Sequence, residues 1–173
     1  MTSKSNRETR TASEVKSVED AARIEKAFRK RDRKVLVNRI SHVSIVVKDI
    51  YESLSAFDKF FEFVRDVRVE TIPEQGVKIA IVSFDGTELE FIQPIQPGTG
   101  VARFLERHGE GLHHIGLEVS DIKETLKNVG AKGAQLIDRE PWHGLRGKTA
   151  FVHPTSLKGV LVELVQPAPE SEE

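Results

Sequence analysis

From Ile40 to Val47 polar and apolar positions alternate among β-branched residues, and a period of two predicts a strand. At Asp49 the period changes. Leu54, Phe57, Phe60, Phe61 and Val64 give a helix one apolar face, and Asp49 with Glu52 supplies a capping pair at its start. Three short strands are predicted next, around 67–72, 77–84 and 87–93, the last two joined by the hairpin signal Asp85-Gly86. Pro94, Pro97, Gly98 and Gly100 mark a linker, and a short helix is predicted at 101–108. The order strand, helix, strand, strand, strand then begins again at His113.

The ends read differently. Residues 1 to about 16 are polar and expected to be disordered. Ser17 opens a helix in which Ala21, Ile24 and Phe28 form a sparse apolar stripe, and a basic run follows through Arg29, Lys30, Arg31, Arg33 and Lys34. This reads as a solvated helix docked by Ile24 and Phe28, or else as an arm that contacts phosphate or a partner. Ala168 to Glu173 form an acidic tail, expected to fray. The organisation expected is a polar arm and charged helix over 1–37, βαβββ modules over 38–98 and 99–167, and a tail over 168–173.

The second module repeats the first. "HVSIVVKDIYESL" (His42 to Leu54) and "HIGLEVSDIKETL" (His114 to Leu126) share six of 13 positions at an offset of 72, where unrelated segments share about one. "EFIQP" from Glu90 matches "ELVQP" from Glu163 at an offset of 73. Each module therefore opens on a strand with a histidine and closes on a strand with a glutamate. The fold expected is α+β: two tandem βαβββ modules whose curved mixed sheets surround a metal-binding cleft.

Composition narrows the function. The 173 residues are 38% apolar and 31% charged, in keeping with a soluble globular protein. A net charge of -1 provides no global attraction for nucleic acid or membrane. With no cysteine there are no disulfides, thiolate nucleophiles or cysteine metal sites. No apolar run approaches the roughly 20 residues that span a bilayer. A cytoplasmic location is expected. A mitochondrial location is the alternative, and Glu8, Glu14, Glu19 and Asp20 count against a leader because they interrupt the basic residues.

A single strand histidine usually has a structural role, and a single strand glutamate usually faces solvent. Here His42, Glu90, His114 and Glu163 stand at repeat-equivalent positions, and Glu163 interrupts the apolar strand "GVLVELVQP". A buried carboxylate requires a partner. Two imidazoles and two carboxylates suit a borderline divalent cation, Co²⁺ first, with Mn²⁺, Ni²⁺ or Zn²⁺ as alternatives. Four protein ligands on an octahedral ion leave two positions for a chelating substrate. Strand alternation places His113 on the face opposite His114, away from the cleft.

From about Ser41 to Gln166 the chain resembles the vicinal oxygen chelate superfamily and, within it, the methylmalonyl-CoA epimerase family. The resemblance is carried by "SHVSIVVKDI", "IPEQGVKIAIV", "VARFLERHGEGLHHIGLEVSDI", "LIDREP" and "FVHPTSLKGVLVELVQP". The GEGLHHI and HP…GVLVEL segments are more specific to the epimerase group than to the superfamily. In that family the positions matching His42, Glu90, His114 and Glu163 hold the metal. Two departures stand out. Phe60-Phe61 and Val64-Arg65 replace the family's usual Tyr and Leu-Gly. Some relatives carry a second carboxylate on the strand after PEQG, which here reads Val77-Lys78-Ile79-Ala80.

The resemblance implies epimerisation of methylmalonyl-CoA, or a close 2-substituted malonyl-CoA, by proton abstraction and return at C2 through a metal-stabilised enolate. Glu163 is the expected base, Glu74 in the PEQG turn the candidate on the opposite face, and Lys78 a third candidate. His153 is expected to order the loop before the last strand. The loop Gly144 to Lys148, "GLRGK", either contacts substrate carboxylate or CoA phosphate or is an exposed hairpin. An acyl-CoA substrate and a homodimer are the expected partners, with neither nucleic acid nor membrane. The alternatives are a glyoxalase I-type isomerase or lyase on the same scaffold, and a non-catalytic binding protein of this fold.

Overall fold

The structure, a computed structural model, describes residues 20–26, 36–62 and 66–169. The chain divides into two compact units between Val35 and Leu36. In the first, residues 20–26 form a helix, α1, whose residues are all exposed, Ile24 among them. Ser17, Phe28, the basic run, residues 1–16 and the end of the acidic tail lie outside the described residues.

In the second unit the strands are β1 (Val37–Val46), β2 (Arg68–Ile72), β3 (Val77–Phe84), β4 (Thr87–Pro94), β5 (Gly111–Val119), β6 (Trp142–Gly144), β7 (Gly147–Val152) and β8 (Val162–Pro167). The helices are α2 (Ile50–Phe61), α3 (Gly100–His108) and α4 (Ile122–Ala131). The strands form one curled eight-stranded sheet in the order β2-β3-β4-β1-β5-β8-β7-β6. Read inward from each edge, the order is the same for both halves. β1 pairs parallel with β4, β5 pairs parallel with β8, and the two halves join where β1 and β5 run antiparallel. The α+β reading holds, with the two modules fused into a single sheet through that seam.

The repeat is physical as well as textual. Asp49 and Asp121 cap α2 and α4 by accepting hydrogen bonds from the amides of Glu52 and Glu124, each at 2.9 Å. The amides of Ile50 and Ile122 donate to the side-chain carbonyls of Gln93 and Gln166, so the Gln of each "QP" ending ties a closing strand to a helix start. Below α2, Val47, Ile50 and Leu54 pack with Ala80, Val82 and Phe91. Below α4, the equivalent Val119, Ile122 and Leu126 pack with Ala150, Val152 and Leu164. Each buried aliphatic side chain of this kind contributes about 1.5–3 kcal/mol. A third cluster, Val46, Val77, Ile79, Ile81 and Ile92, is covered by Val101, Phe104 and Leu105 of α3.

One helical expectation is corrected. Helix α2 ends at Phe61, leaving through Glu62 in the left-handed conformation at φ 52°. Phe57 is the last helix residue packed on the core, so Phe60 and Phe61 stay exposed past its end. Val64 lies outside the described residues.

Candidate metal centre

Strand register assembles the site. Across the seam His42 stands opposite Gly116, and Ser44 stands opposite His114. On the outer sides Glu90 stands opposite Ser44 and Glu163 opposite Gly116. Side chains in one cross-strand row share a face of the sheet. The result is two adjacent rows, Glu90–Ser44–His114 and His42–Gly116–Glu163, related by the repeat. All four residues named from the repeat thus meet on one face.

The contacts are close. His42 Nε2 lies 2.8 Å from Glu163 Oε2, His114 Nε2 lies 3.0 Å from the same oxygen, and the two Nε2 atoms are 3.0 Å apart. A donor atom of Glu90 lies within 4.8 Å of those of His42 and His114. Three lone-pair donors in so small a triangle suit a shared cation. Donors held cis by bonds of about 2.1 Å on an octahedral ion stand about 3.0 Å apart. The residues present therefore fit a divalent cation.

Both carboxylates are held from behind. Thr149 donates its hydroxyl to Glu163 Oε1 at 2.6 Å. Ser44 donates to Glu90 Oε1 at 3.2 Å, and Arg146 Nη1 donates to Glu90 Oε2 at 2.6 Å. The same guanidinium uses Nε to reach Glu88 at 2.6 Å, while its Nη2 is buried with no hydrogen-bond partner among the described residues. Burial works against both charges but is outweighed in each case. Hydrogen bonds from His114 and His42 hold Glu163 well below the usual carboxylate range, and Glu90 and Glu88 raise Arg146.

Gly116 makes room for one ligand. A Cβ there would stand 2.2 Å from His42 Cε1, so the fully buried imidazole occupies the space a side chain would take. Ser44 is the repeat equivalent of Gly116, and the small residue at both positions was the only trace of this in the sequence.

His113 overturns the alternation argument. In the β1–β5 ladder Ser44 pairs with His114 and Ile45 with Leu112, so His113 is an extra residue at a register shift. An extra residue breaks the period of two. His113 therefore lines the cleft with His114, its Nδ1 2.9 Å from the Nδ1 of that neighbour. Burial first, and then His114, push its imidazole down to about 4 against the pull of Glu90 and Glu163.

The centre opens into a cleft of about 630 Å³. Ile79, Ile92, Phe104, Trp142 and Phe151 supply apolar walls, and Arg146 adds a cationic one. Glu74 is exposed on the short turn Pro73–Gln75, and its neighbours Ile72 and Gln75 line the cleft. Lys78 is not a cleft residue: alternation sends Val77 and Ile79 inward, while Lys78 lies over the Tyr51 ring at 5.8 Å. His153 caps the turn Pro154–Leu157 by accepting from the Thr155 amide, the ordering role expected of it. In "GLRGK", Gly144, Leu145 and Arg146 line the cleft and Lys148 is exposed.

Fold and site define a class that sequence comparison identifies. Residues 41–152 match the model of the Glyoxalase/Bleomycin resistance protein/Dioxygenase superfamily, and the chain belongs to that superfamily. Several of its relatives are named as epimerases. It is 34% identical over 136 residues to the ethylmalonyl-CoA/methylmalonyl-CoA epimerase of Cereibacter sphaeroides, covering 76% of this chain and 99% of that one. It is 33% identical over 133 residues to the mitochondrial methylmalonyl-CoA epimerase of Dictyostelium discoideum, covering 76% and 80%. The crystal structure of methylmalonyl-CoA epimerase from Mycobacterium tuberculosis superposes with a TM-score of 0.72 at 26% identity, covering 83% and 97%.

Proposed function

We propose that this enzyme epimerises methylmalonyl-CoA, or a close 2-substituted malonyl-CoA, with a divalent cation held by His42, Glu90, His114 and Glu163. The observation that carries the reading is the triangle formed by the two imidazole nitrogens and Glu163 Oε2, set at the wall of an apolar cleft. When bound, the cation supplies Lewis-acid stabilisation of the charge that develops on the thioester oxygen. Co²⁺ is the ion we propose first, from the mixed nitrogen and oxygen donor set.

The protein's own groups do the rest. Glu163 is ionised at neutral pH, and Thr149 fixes its Oε1, so it is placed to exchange the C2 proton on one face, while an acid on the other face delivers the proton that inverts the centre. Glu74, on the turn beside the cleft, is the proposed partner on the opposite face. Arg146 lines the cleft as the proposed cation for the carboxylate of the substrate, and its guanidinium is braced by Glu88 and Glu90. The apolar walls exclude water from the reacting carbon.

The glyoxalase-type and non-catalytic alternatives are not favoured, given relatives named as epimerases and four intact ligand positions. A homodimer belongs to the same proposal, as does a location in the cytoplasm or the mitochondrial matrix. Among the described residues no helix is long and apolar enough to cross a membrane. The test is exchange of the C2 proton of methylmalonyl-CoA in D₂O. Exchange with Co²⁺ added, reduced by a chelator, is expected. Absence of exchange with every metal offered overturns the proposal.

A further inference from the structure

We propose that Ser41 and His113, the residues preceding the two candidate metal-binding histidines, are positioning residues that fix the tautomer of His42 and His114 by accepting the Nδ1 hydrogen of each. This role presupposes the metal-binding reading of the four residues proposed above.

Two register shifts carry the inference. Along β1, Ile40 pairs with Leu117 and His42 with Gly116, so Ser41 is an extra residue. Along β5, His114 pairs with Ser44 and Leu112 with Ile45, so His113 is an extra residue. The two positions are separated by the repeat offset of 72. In a regular strand, neighbours point to opposite faces. At these irregularities each extra residue instead turns back onto the ring of the histidine that follows. Ser41 Oγ lies 3.3 Å from His42 Nδ1, and His113 Nδ1 lies 2.9 Å from His114 Nδ1.

The chemistry needs such a partner. An imidazole that offers the Nε2 lone pair to a cation carries its hydrogen on Nδ1, and in a buried site that N–H requires an acceptor. A serine hydroxyl oxygen accepts it for His42. A neutral His113, protonated on Nε2, accepts it for His114. Phe104 of α3 packs edge-on against the His113 ring, with centroids 4.8 Å apart, and holds it in place. The shorter contact makes His113 the stronger of the two supports.

The test uses the full chain in four forms: wild type, His113→Leu, His113→Gln and Ser41→Ala. Imidazole ¹⁵N shifts report the tautomers of His42 and His114, and a chelator-competition titration reports Co²⁺ affinity. Loss of an outer partner typically weakens metal binding roughly 10- to 100-fold. His113→Leu is expected to fall in that range and to give a mixed His114 tautomer. His113→Gln, which restores an acceptor, is expected to recover most of both, and Ser41→Ala to act more mildly on His42. Wild-type tautomer and affinity in His113→Leu overturn the proposal, as does His113→Gln matching the defects of His113→Leu while folded by circular dichroism. If His113→Leu does not fold, Ser41→Ala decides on the same two readouts: a shifted His42 tautomer supports the role and an unchanged one overturns it. A wild-type chain that binds no Co²⁺ removes the metal reading along with this one, whereas the other outcomes bear on the positioning role alone.

Discussion

Gly116→Ala should disable the site through a single methyl group. The added Cβ would stand 2.2 Å, 2.3 Å and 2.8 Å from Cε1, Nδ1 and Nε2 of His42. Ordinary carbon contacts lie at about 3.5–4.0 Å, so the ring must retreat by an ångström or more. It has little room to do so, being fully buried in the row it shares with Glu163. Either the β1–β5 seam opens or the ring swings off the triangle, and both break the 2.8 Å contact to Glu163. Overpacking costs about 1–3 kcal/mol, offset by about 0.4–1 kcal/mol from the stiffer unfolded chain. A net loss of about 1–2 kcal/mol is expected in urea unfolding of the metal-free protein, together with a clear loss of Co²⁺ affinity. Gly130→Ala is the control. It lies in α4, where an added Cβ would stand 3.6 Å from Leu136 Cδ1, an ordinary contact, so a gain of up to about 1 kcal/mol is expected. Wild-type stability and Co²⁺ affinity in Gly116→Ala would refute the steric reasoning.

Glu163→Gln should bind metal more weakly and slow C2 proton exchange by roughly 10²- to 10⁴-fold even at saturating metal; retention of the wild-type rate at saturation removes Glu163 as the base. His114→Ala should act mainly through affinity, so excess metal should restore part of its exchange rate; no recovery at any metal concentration contradicts this. Arg146→Met strands Glu88 and Glu90 without a countercharge. It should cost about 2–3 kcal/mol in urea unfolding, below the roughly 3–5 of a fully buried pair, and Glu90→Gln added to it should recover part; a loss under about 0.5 kcal/mol contradicts the pairing. His113 titrates at about 4 when folded and near 6.5 when unfolded, so on acidification the unfolded chain takes the proton first. Metal-free stability should therefore be intact above about pH 6.5 and decline toward pH 4, with a flatter profile in His113→Leu; equal slopes contradict it.

The repeat makes much of the centre legible in the sequence. Matching "HVSIVVKDI" to "HIGLEVSDI" paired His42 with His114, and the "QP" endings paired Glu90 with Glu163, because both halves build the same rows across one seam. Alternation then failed at His113, since one extra residue shifts the ladder and no residue type announces it. In the sequence Arg146 is only part of the loop "GLRGK"; its burial against Glu88 and Glu90 joins residues more than 50 positions apart. Phe60 and Phe61 share the apolar spacing of the helix yet stay exposed, because helical spacing says where a side chain points, not where the covering core ends. In the sequence Gln93 and Gln166 are only repeat markers, and their work as helix ties depends on a three-dimensional approach of closing strand to helix start.

The central claim is that these two histidines and two glutamates hold the ion on which epimerisation depends. The most direct measurement titrates Co²⁺ into chelator-stripped protein and follows bound metal and conversion of one methylmalonyl-CoA epimer in the same samples. The account predicts that conversion rises in proportion to bound Co²⁺ and saturates at a single ion per chain, with His42→Ala shifting both curves together. Full conversion by stripped protein, or Co²⁺ binding that saturates without any conversion, would contradict it.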